Sequence, residues 1–186
     1  MISHKYKFIF VHVPKTAGTS LRVAMEGMYD ELHDPHHSTL FEIKEKLSEM
    51  IFQTYFKFCI VRNPWDREVS RYEYIKQDKG HENHMHCLRG FNEYLFKFAD
   101  DEFDAVNYNH LKLNDKIAMD YIIKFENFQE GFNIVCDKIG ISRRKLPHIN
   151  KSNRKHYTEY YDDETREIVA ERYAKDIEYF GYKFGE

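Results

Sequence analysis

Two mainly apolar runs stand out from an otherwise polar chain: residues 7–13, centred on Phe8-Ile9-Phe10-Val11, and residues 56–61. Side chains alternate between the two faces of a strand, so consecutive apolar residues such as Phe8–Val11 and Phe58–Val61 predict strands buried on both faces. The first run leaves the sheet at Pro14 and the second stops at Arg62. Behind the first, Leu21, Ala24, Met25 and Met28 recur at helical spacing and predict a helix over 19–29, with Gly18 or Thr19 at its cap. Behind the second, Asn63-Pro64 supplies an N-cap and a proline at the first helical position, opening a helix to about Gln77. Thr39 with Glu42 forms a capping-box pattern ahead of a helix over 39–50. Residues 78–89 read as a loop, 91–98 as a short helix and 100–114 as an irregular polar connection. A third strand is predicted over 119–125, then a helix from Asn127 to Ile139 that Gly140 terminates. A basic loop over 143–156 and a helix over 163–174 complete the pattern. Strands separated by helices need crossover connections, so the reading is an α/β fold, a mostly parallel β-sheet flanked by helices, in one domain over 1–186.

Composition narrows this picture rather than changing it. The chain has 186 residues, 42% hydrophobic and 16% aromatic, enough for one domain with an aromatic-rich core. Its longest apolar run is far short of the ~20 residues that span a bilayer. Lys5, Tyr6 and Lys7 lead straight into the first strand with no leader-like pattern, so a cytoplasmic protein with no integral membrane segment is expected. A formal charge of −3 argues against a nucleic-acid-coating protein while leaving room for a local anion site. Cys59, Cys87 and Cys136 suggest neither a disulfide framework nor a CxxC zinc site. The cluster His81-Glu82-Asn83-His84-Met85-His86-Cys87 carries good zinc donors, but its spacing fits neither a zinc finger nor HExxH. It reads as an acceptor-facing loop, and no metal is expected.

The chemistry concentrates where the two main strands end. Pro14-Lys15-Thr16-Ala17-Gly18-Thr19-Ser20 lies between the first strand and first helix. A reversing loop there aims backbone N–H groups at one point, Lys15 adds a full charge, and the hydroxyls of Thr16, Thr19 and Ser20 add donors for phosphate or sulfate oxygens. This is not the Walker A order, because the lysine precedes the glycine, and the second strand ends in Arg62 rather than in a metal-assisting aspartate. The second motif is Arg62-Asn63-Pro64-Trp65-Asp66-Arg67-Glu68-Val69-Ser70-Arg71-Tyr72. Arg62 sits at a strand's carboxyl end, where open α/β sheets bind ligands, and Ser70 follows about two helical turns later at ~3.6 residues per turn. Together they suit a second phosphate. Arg67 is an acceptor-binding candidate, whereas Arg71 reads as a solvated or salt-bridged helix residue.

These residues resemble the sulfotransferases that use 3′-phosphoadenosine 5′-phosphosulfate (PAPS), with the loop at 14–20 similar to their 5′-phosphosulfate motif and Arg62 through Ser70 to their 3′-phosphate motif. Within them the carbohydrate-type branch, sulfotransferase family 2, is most similar. The resemblance extends through Lys124-Phe125-Glu126-Asn127, Leu146-Pro147-His148-Ile149-Asn150-Lys151-Ser152 and Tyr173-Ala174-Lys175-Asp176, with Lys124 standing where the family has arginine and 107–116 matching poorly. It implies a P-loop-like sheet and PAPS as cosubstrate without a metal, since a sulfuryl group has less charge to neutralise than a γ-phosphoryl group. It also implies that Lys15 steadies the charge building on the bridging oxygen. The acceptor is then a hydroxyl, expected on a carbohydrate, and its base is His or Glu. His37, in His36-His37-Ser38-Thr39, is the candidate base because an imidazole suits proton removal near neutral pH. His36 is the next candidate and an acceptor contact, while His12 reads as orienting the loop. The late loop of the family that closes over the nucleotide assigns cofactor contacts to Lys151, Ser152 and Arg154. The rival readings are a nucleotide kinase on the same sheet, which predicts magnesium-dependent ATP use, and a non-catalytic binder of adenine nucleotide or sulfated glycan.

Overall fold

Both apolar runs are strands of one sheet in the computed structural model, which describes residues 1–30, 37–98, 107–147, 149 and 154–186. Contacts group the chain into two units, Met1–Arg62 with Asn107–Ile149 and Asn63–Val106 with Asn150–Glu186. Along the chain the elements are β1 (Ile2–Ser3), β2 (Phe8–Val11), α1 (Gly18–Ala24), α2 (Leu40–Lys46), α3 (Glu49–Thr54), β3 (Phe56–Val61), α4 (Pro64–Gln77), α5 (His84–Cys87) and α6 (Phe91–Phe98). They continue as α7 (Asn107–Leu111), β4 (Lys112–Leu113), β5 (Lys116–Ile117), β6 (Tyr121–Lys124), α8 (Phe128–Ile139), α9 (Asp163–Arg172) and α10 (Ala174–Phe180).

The first unit holds the sheet, in the order β1-β2-β3-β6. Strands β2, β3 and β6 are parallel, with Val11 opposite Cys59 and Val61 opposite Lys124, while β1 pairs antiparallel at the edge. Phe8, Phe10, Phe58, Ile60 and Ile123 point to one face, where Leu21 and Met25 of α1 and Phe132, Val135 and Cys136 of α8 bury them. Ile9, Val11, Cys59 and Val61 point the other way and are equally buried, so the central strands have no wet face. Helix α8 lies tight on β6: a Cβ at Gly131 would sit 2.6 Å from the Ile123 side chain. Because β2 and β3 run in parallel and in register, the chain leaves both at the same edge of the sheet.

The second unit is built around aromatic rings. Trp65 and Tyr72 of α4, Phe91 and Tyr94 of α6, and Tyr157, Val169 and Tyr173 form its core. Inside it, the Glu68 carboxylate accepts hydrogen bonds from Tyr94, at 2.9 Å, and from Tyr173. Burial alone would raise this carboxyl, but Arg71, Arg172, the Tyr173 hydroxyl and Arg67 outweigh it and hold Glu68 below the usual carboxylate range.

Several elements differ from the pattern-based expectation. The helix expected over 39–50 is two, α2 and α3, because the Ser48 hydroxyl accepts from the Ile51 N–H at 3.3 Å and starts a new helix. The connection expected to be irregular contains α7 and a two-stranded hairpin, β4 with β5. Asn114 and Asp115 at its tip have φ 48° and 56°, the paired left-handed geometry of a tight hairpin turn. The loop at 78–89 contains the helical turn α5, and the last helix is followed by α10. Among the described residues, no helix is long and apolar enough to cross a membrane.

Candidate functional site

The loop between β2 and α1 owes its shape to backbone handedness. Lys15 and Ala17 have φ 62° and 66°, whereas Thr16 between them is not left-handed. Alternation of this kind curls successive N–H groups toward the inside of a bend. Thr16 is fully buried and its hydroxyl donates to the Val13 carbonyl at 2.8 Å, which closes the loop. Its proton is therefore spent on the loop, and Thr16 has its backbone N–H left to offer an anion. Ala17 stands at the N-cap of α1, and no side chain caps this helix. The first N–H groups of α1 thus lack an intrahelical partner. Pro14 and Ser20 are buried, Thr19 is half-buried, and the Ser20 hydroxyl accepts from the Ile149 N–H at 3.3 Å.

Gly18 is required by packing. A Cβ there would lie 2.0 Å from Nε2 of His12, so the His12 ring occupies the space that any other residue would fill. On its other side His12 meets His37, with ring centroids 4.5 Å apart. His37 is half-buried and has φ 64°.

Arg62 ties the second strand end to this loop. Its Nη1 donates to the Lys15 carbonyl at 3.0 Å, and its guanidinium carbon lies 4.0 Å from the centroid of the Phe125 ring. Arg62 is 7% exposed, so its planar fork is fixed by a ring face and a carbonyl before any ligand arrives. Phe125 is a site residue that composition and spacing did not single out; the only trace of it was its place in the Lys124-Phe125-Glu126-Asn127 resemblance.

A model of the sulfotransferase family matches residues 1–183. The chain belongs to the sulfotransferase family. A protein of Archaeoglobus fulgidus named only as an uncharacterized protein is 32% identical to this sulfotransferase over 114 residues, 58% of this chain and 87% of that one. The crystal structure of mouse sulfotransferase SULT7A1 complexed with PAP has the same fold, with a TM-score of 0.55 and 16% identity over 96% of this chain and 87% of that one.

Within the second unit of this sulfotransferase, Ser70 is half-buried on α4. Arg67, an acceptor-binding candidate by sequence, is 3% exposed, 5.8 Å from the centroid of the Tyr173 ring, and one of the charges that stabilise Glu68. It stands one residue before that buried carboxylate on α4, where a solvated arginine and a buried partner look alike in sequence. Arg154, expected at the cofactor, is paired with Asp66, both side chains being largely buried. That pairing spends its charge on a carboxylate. His36, Lys151 and Ser152 lie outside the described residues. In the histidine-rich stretch, the His81 ring accepts from the Asn83 N–H at 3.1 Å and the His84 ring lies 3.2 Å from the Ile75 carbonyl. Both rings are engaged locally, and among the described residues no group of three His, Cys, Asp or Glu is placed to hold a metal ion.

Proposed function

We propose that this sulfotransferase takes its sulfuryl group from PAPS and delivers it to a hydroxyl of a carbohydrate. The observation that carries the reading is the direct bond from Arg62 to the Lys15 loop. Two basic side chains stand at the ends of adjacent parallel strands, one on an uncapped, curled loop and the other pre-oriented beside it. A nucleotide with phosphate at both ends of its ribose presents two anions and suits this pair. The donor set also fits chemically: an ammonium, a guanidinium, loop N–H groups and the Ser20 and Thr19 hydroxyls are all suited to oxyanions.

In this reading Lys15 and the N–H groups of residues 16–20 hold the 5′-phosphosulfate, and Arg62 the 3′-phosphate, with Ser70 assigned there by the motif. The acceptor oxygen attacks sulfur in line, forming a new S–O bond as the S–O bond to the 5′-phosphate breaks. The hydroxyl proton passes to His37, and Lys15 stabilises the negative charge that collects on the departing adenosine 3′,5′-bisphosphate (PAP). The family branch favours a sugar acceptor, and the half-buried His37 ring suits a bulky alcohol.

Thermal shifts test the reading. PAP is expected to raise the melting temperature more than adenosine 5′-phosphate, which lacks the 3′-phosphate, and more than ATP with magnesium. Stabilisation by ATP with magnesium and none by PAP would overturn it in favour of a kinase. Strong PAP binding without transfer of labelled sulfate to any of a broad panel of sugars would leave a nucleotide-binding protein in its place.

A further inference from the structure

His12 is the side chain in this region that the proposed reaction does not use, and its surroundings are unusual for a histidine. It follows directly on β2, is half-buried, and lies against three things at once: the Phe10 ring at 5.8 Å, the Gly18 backbone at the start of α1, and the His37 ring at 4.5 Å with the planes tilted by 59°. His37 itself holds a left-handed backbone, which costs a non-glycine residue about 1–3 kcal/mol and persists only where neighbours over-determine the conformation. The His12 ring is such a neighbour.

We propose that His12 is the positioning residue of the general base: its ring, packed between Gly18 and His37, holds the His37 imidazole in place and offers it a polar partner when His37 accepts the acceptor's proton. This inference rests on the reading of His37 as the base.

The chemistry asks for a histidine that does not ionise. Among the described residues, the titratable and charged groups acting on His12 are His37, the amino terminus, Arg22 of α1 and His110 of α7, and all are cationic when protonated. Burial first, and these groups after it, push the His12 imidazole down to about 3. When His37 takes a proton, His12 therefore stays neutral. A neutral ring nitrogen or ring face favours an adjacent imidazolium, whereas a second cation would repel it and a purely apolar side chain would desolvate it. The same ring forbids a side chain at position 18, so the base and the anion loop share one spacer and move together.

The test is an NMR titration of the histidine ring C–H signals in the full chain, assigned by single replacements. The His37 midpoint in wild type is the reference, and His12 is expected not to titrate between about pH 5 and 8. In His12→Leu the His37 midpoint should fall by at least about half a pH unit, because an apolar neighbour no longer supports the charged ring. In His12→Gln, which keeps an uncharged donor and acceptor, it should stay within about 0.2 of wild type. An unmoved midpoint in the leucine variant overturns the role of His12, and so does an equal fall in both variants. If the leucine variant does not fold, His12→Asn, which withdraws the ring contact with a smaller polar group, is measured in its place and should lower the midpoint. A wild-type His37 that fails to titrate, or a His37→Ala variant with full sulfuryl transfer, defeats the base assignment itself and is distinguishable from either result on His12.

Discussion

Helices α1 and α4 each follow one of the two central parallel strands, and their first turns are finished in opposite ways. The start of α4 is closed: Asn63 accepts from the Trp65 N–H at 3.1 Å and donates to the Lys183 carbonyl at 2.9 Å, and Pro64 removes one orphan donor. The start of α1 has a left-handed alanine at the cap, which has no side chain to bond the first N–H groups. Arginines divide in the same way. Around α4, Arg67, Arg71 and Arg172 surround one buried carboxylate, and Arg154 meets Asp66. Beside α1, Arg62 is met by the Lys15 carbonyl and the Phe125 ring face, contacts that orient its guanidinium. Around α4 the arginines gather at carboxylates, whereas the described contacts of Arg62 with the loop before α1 are to a carbonyl and a ring.

The contrast can be broken most strongly at Glu68. Glu68→Ala removes the carboxylate that the buried Arg67, the half-buried Arg71 and Arg172 and two tyrosine hydroxyls share, and should cost about 3–5 kcal/mol in chemical denaturation. A loss under about 1 kcal/mol would show that the cluster is not the keystone of the second unit. Lys15→Ala should lower sulfuryl transfer by about 100-fold or more at unchanged stability, since it removes a donor placed for charge that develops at the leaving oxygen. Transfer at the wild-type rate would remove Lys15 from the chemistry. Gly18→Ala drives a methyl into the His12 ring and should weaken PAP binding by about tenfold, in line with the ~1–3 kcal/mol of an overpacked site. Calorimetric titration with PAP would read this directly. Asn63→Ala should cost only about 1 kcal/mol of stability, the usual worth of an N-cap, with transfer retained by the folded enzyme.

Acid unfolding separates the two regions further. The His12 imidazole sits at about 3 in the fold against 6.5 when exposed, so the unfolded chain binds a proton first and stability is lost as pH falls from 6.5 toward 3. Glu68 is held below its ordinary 4.5, so its contribution is present above that value and is lost only as pH falls beneath it. Urea unfolding across pH should therefore show a decline from about pH 6.5 downward that His12→Gln reduces, and a steeper one below about pH 4.5 that Glu68→Gln flattens. The same slope in both variants as in wild type would contradict the two assignments.

Particular residues show how far local pattern carried. The caps at Thr39 and Asn63 were legible because their partners, Glu42 and Trp65, are three and two positions away. The Ser48 cap was equally local but was hidden inside a stretch whose apolar spacing suited one long helix. The Asn114-Asp115 turn escaped because each of its strands is only two residues long, too short for a period-two pattern to register. Lys15 and Arg62 could be placed at strand ends because the apolar runs stop there. The fates of Arg67 and Arg154 could not be read: a charged side chain on a helix or in a loop has the same local signature whether it meets water, a ligand or a buried carboxylate.

The chain by itself determined the strand-loop-helix order, the parallel sheet and the basic residues at its edge, because hydrophobic period, caps and strand ends are written in neighbouring positions. Tertiary structure alone decided that Arg62 grips the carbonyl of Lys15, that Glu68 gathers arginines and tyrosines, and that the rings of His12 and His37 meet over Gly18. The bonds from Arg62 to Lys15 and from Tyr173 to Glu68, and the meeting of His12 with His37, join segments far apart in sequence. Which partner a charge or ring finds is settled by burial and close packing of the folded chain, and no local pattern records it.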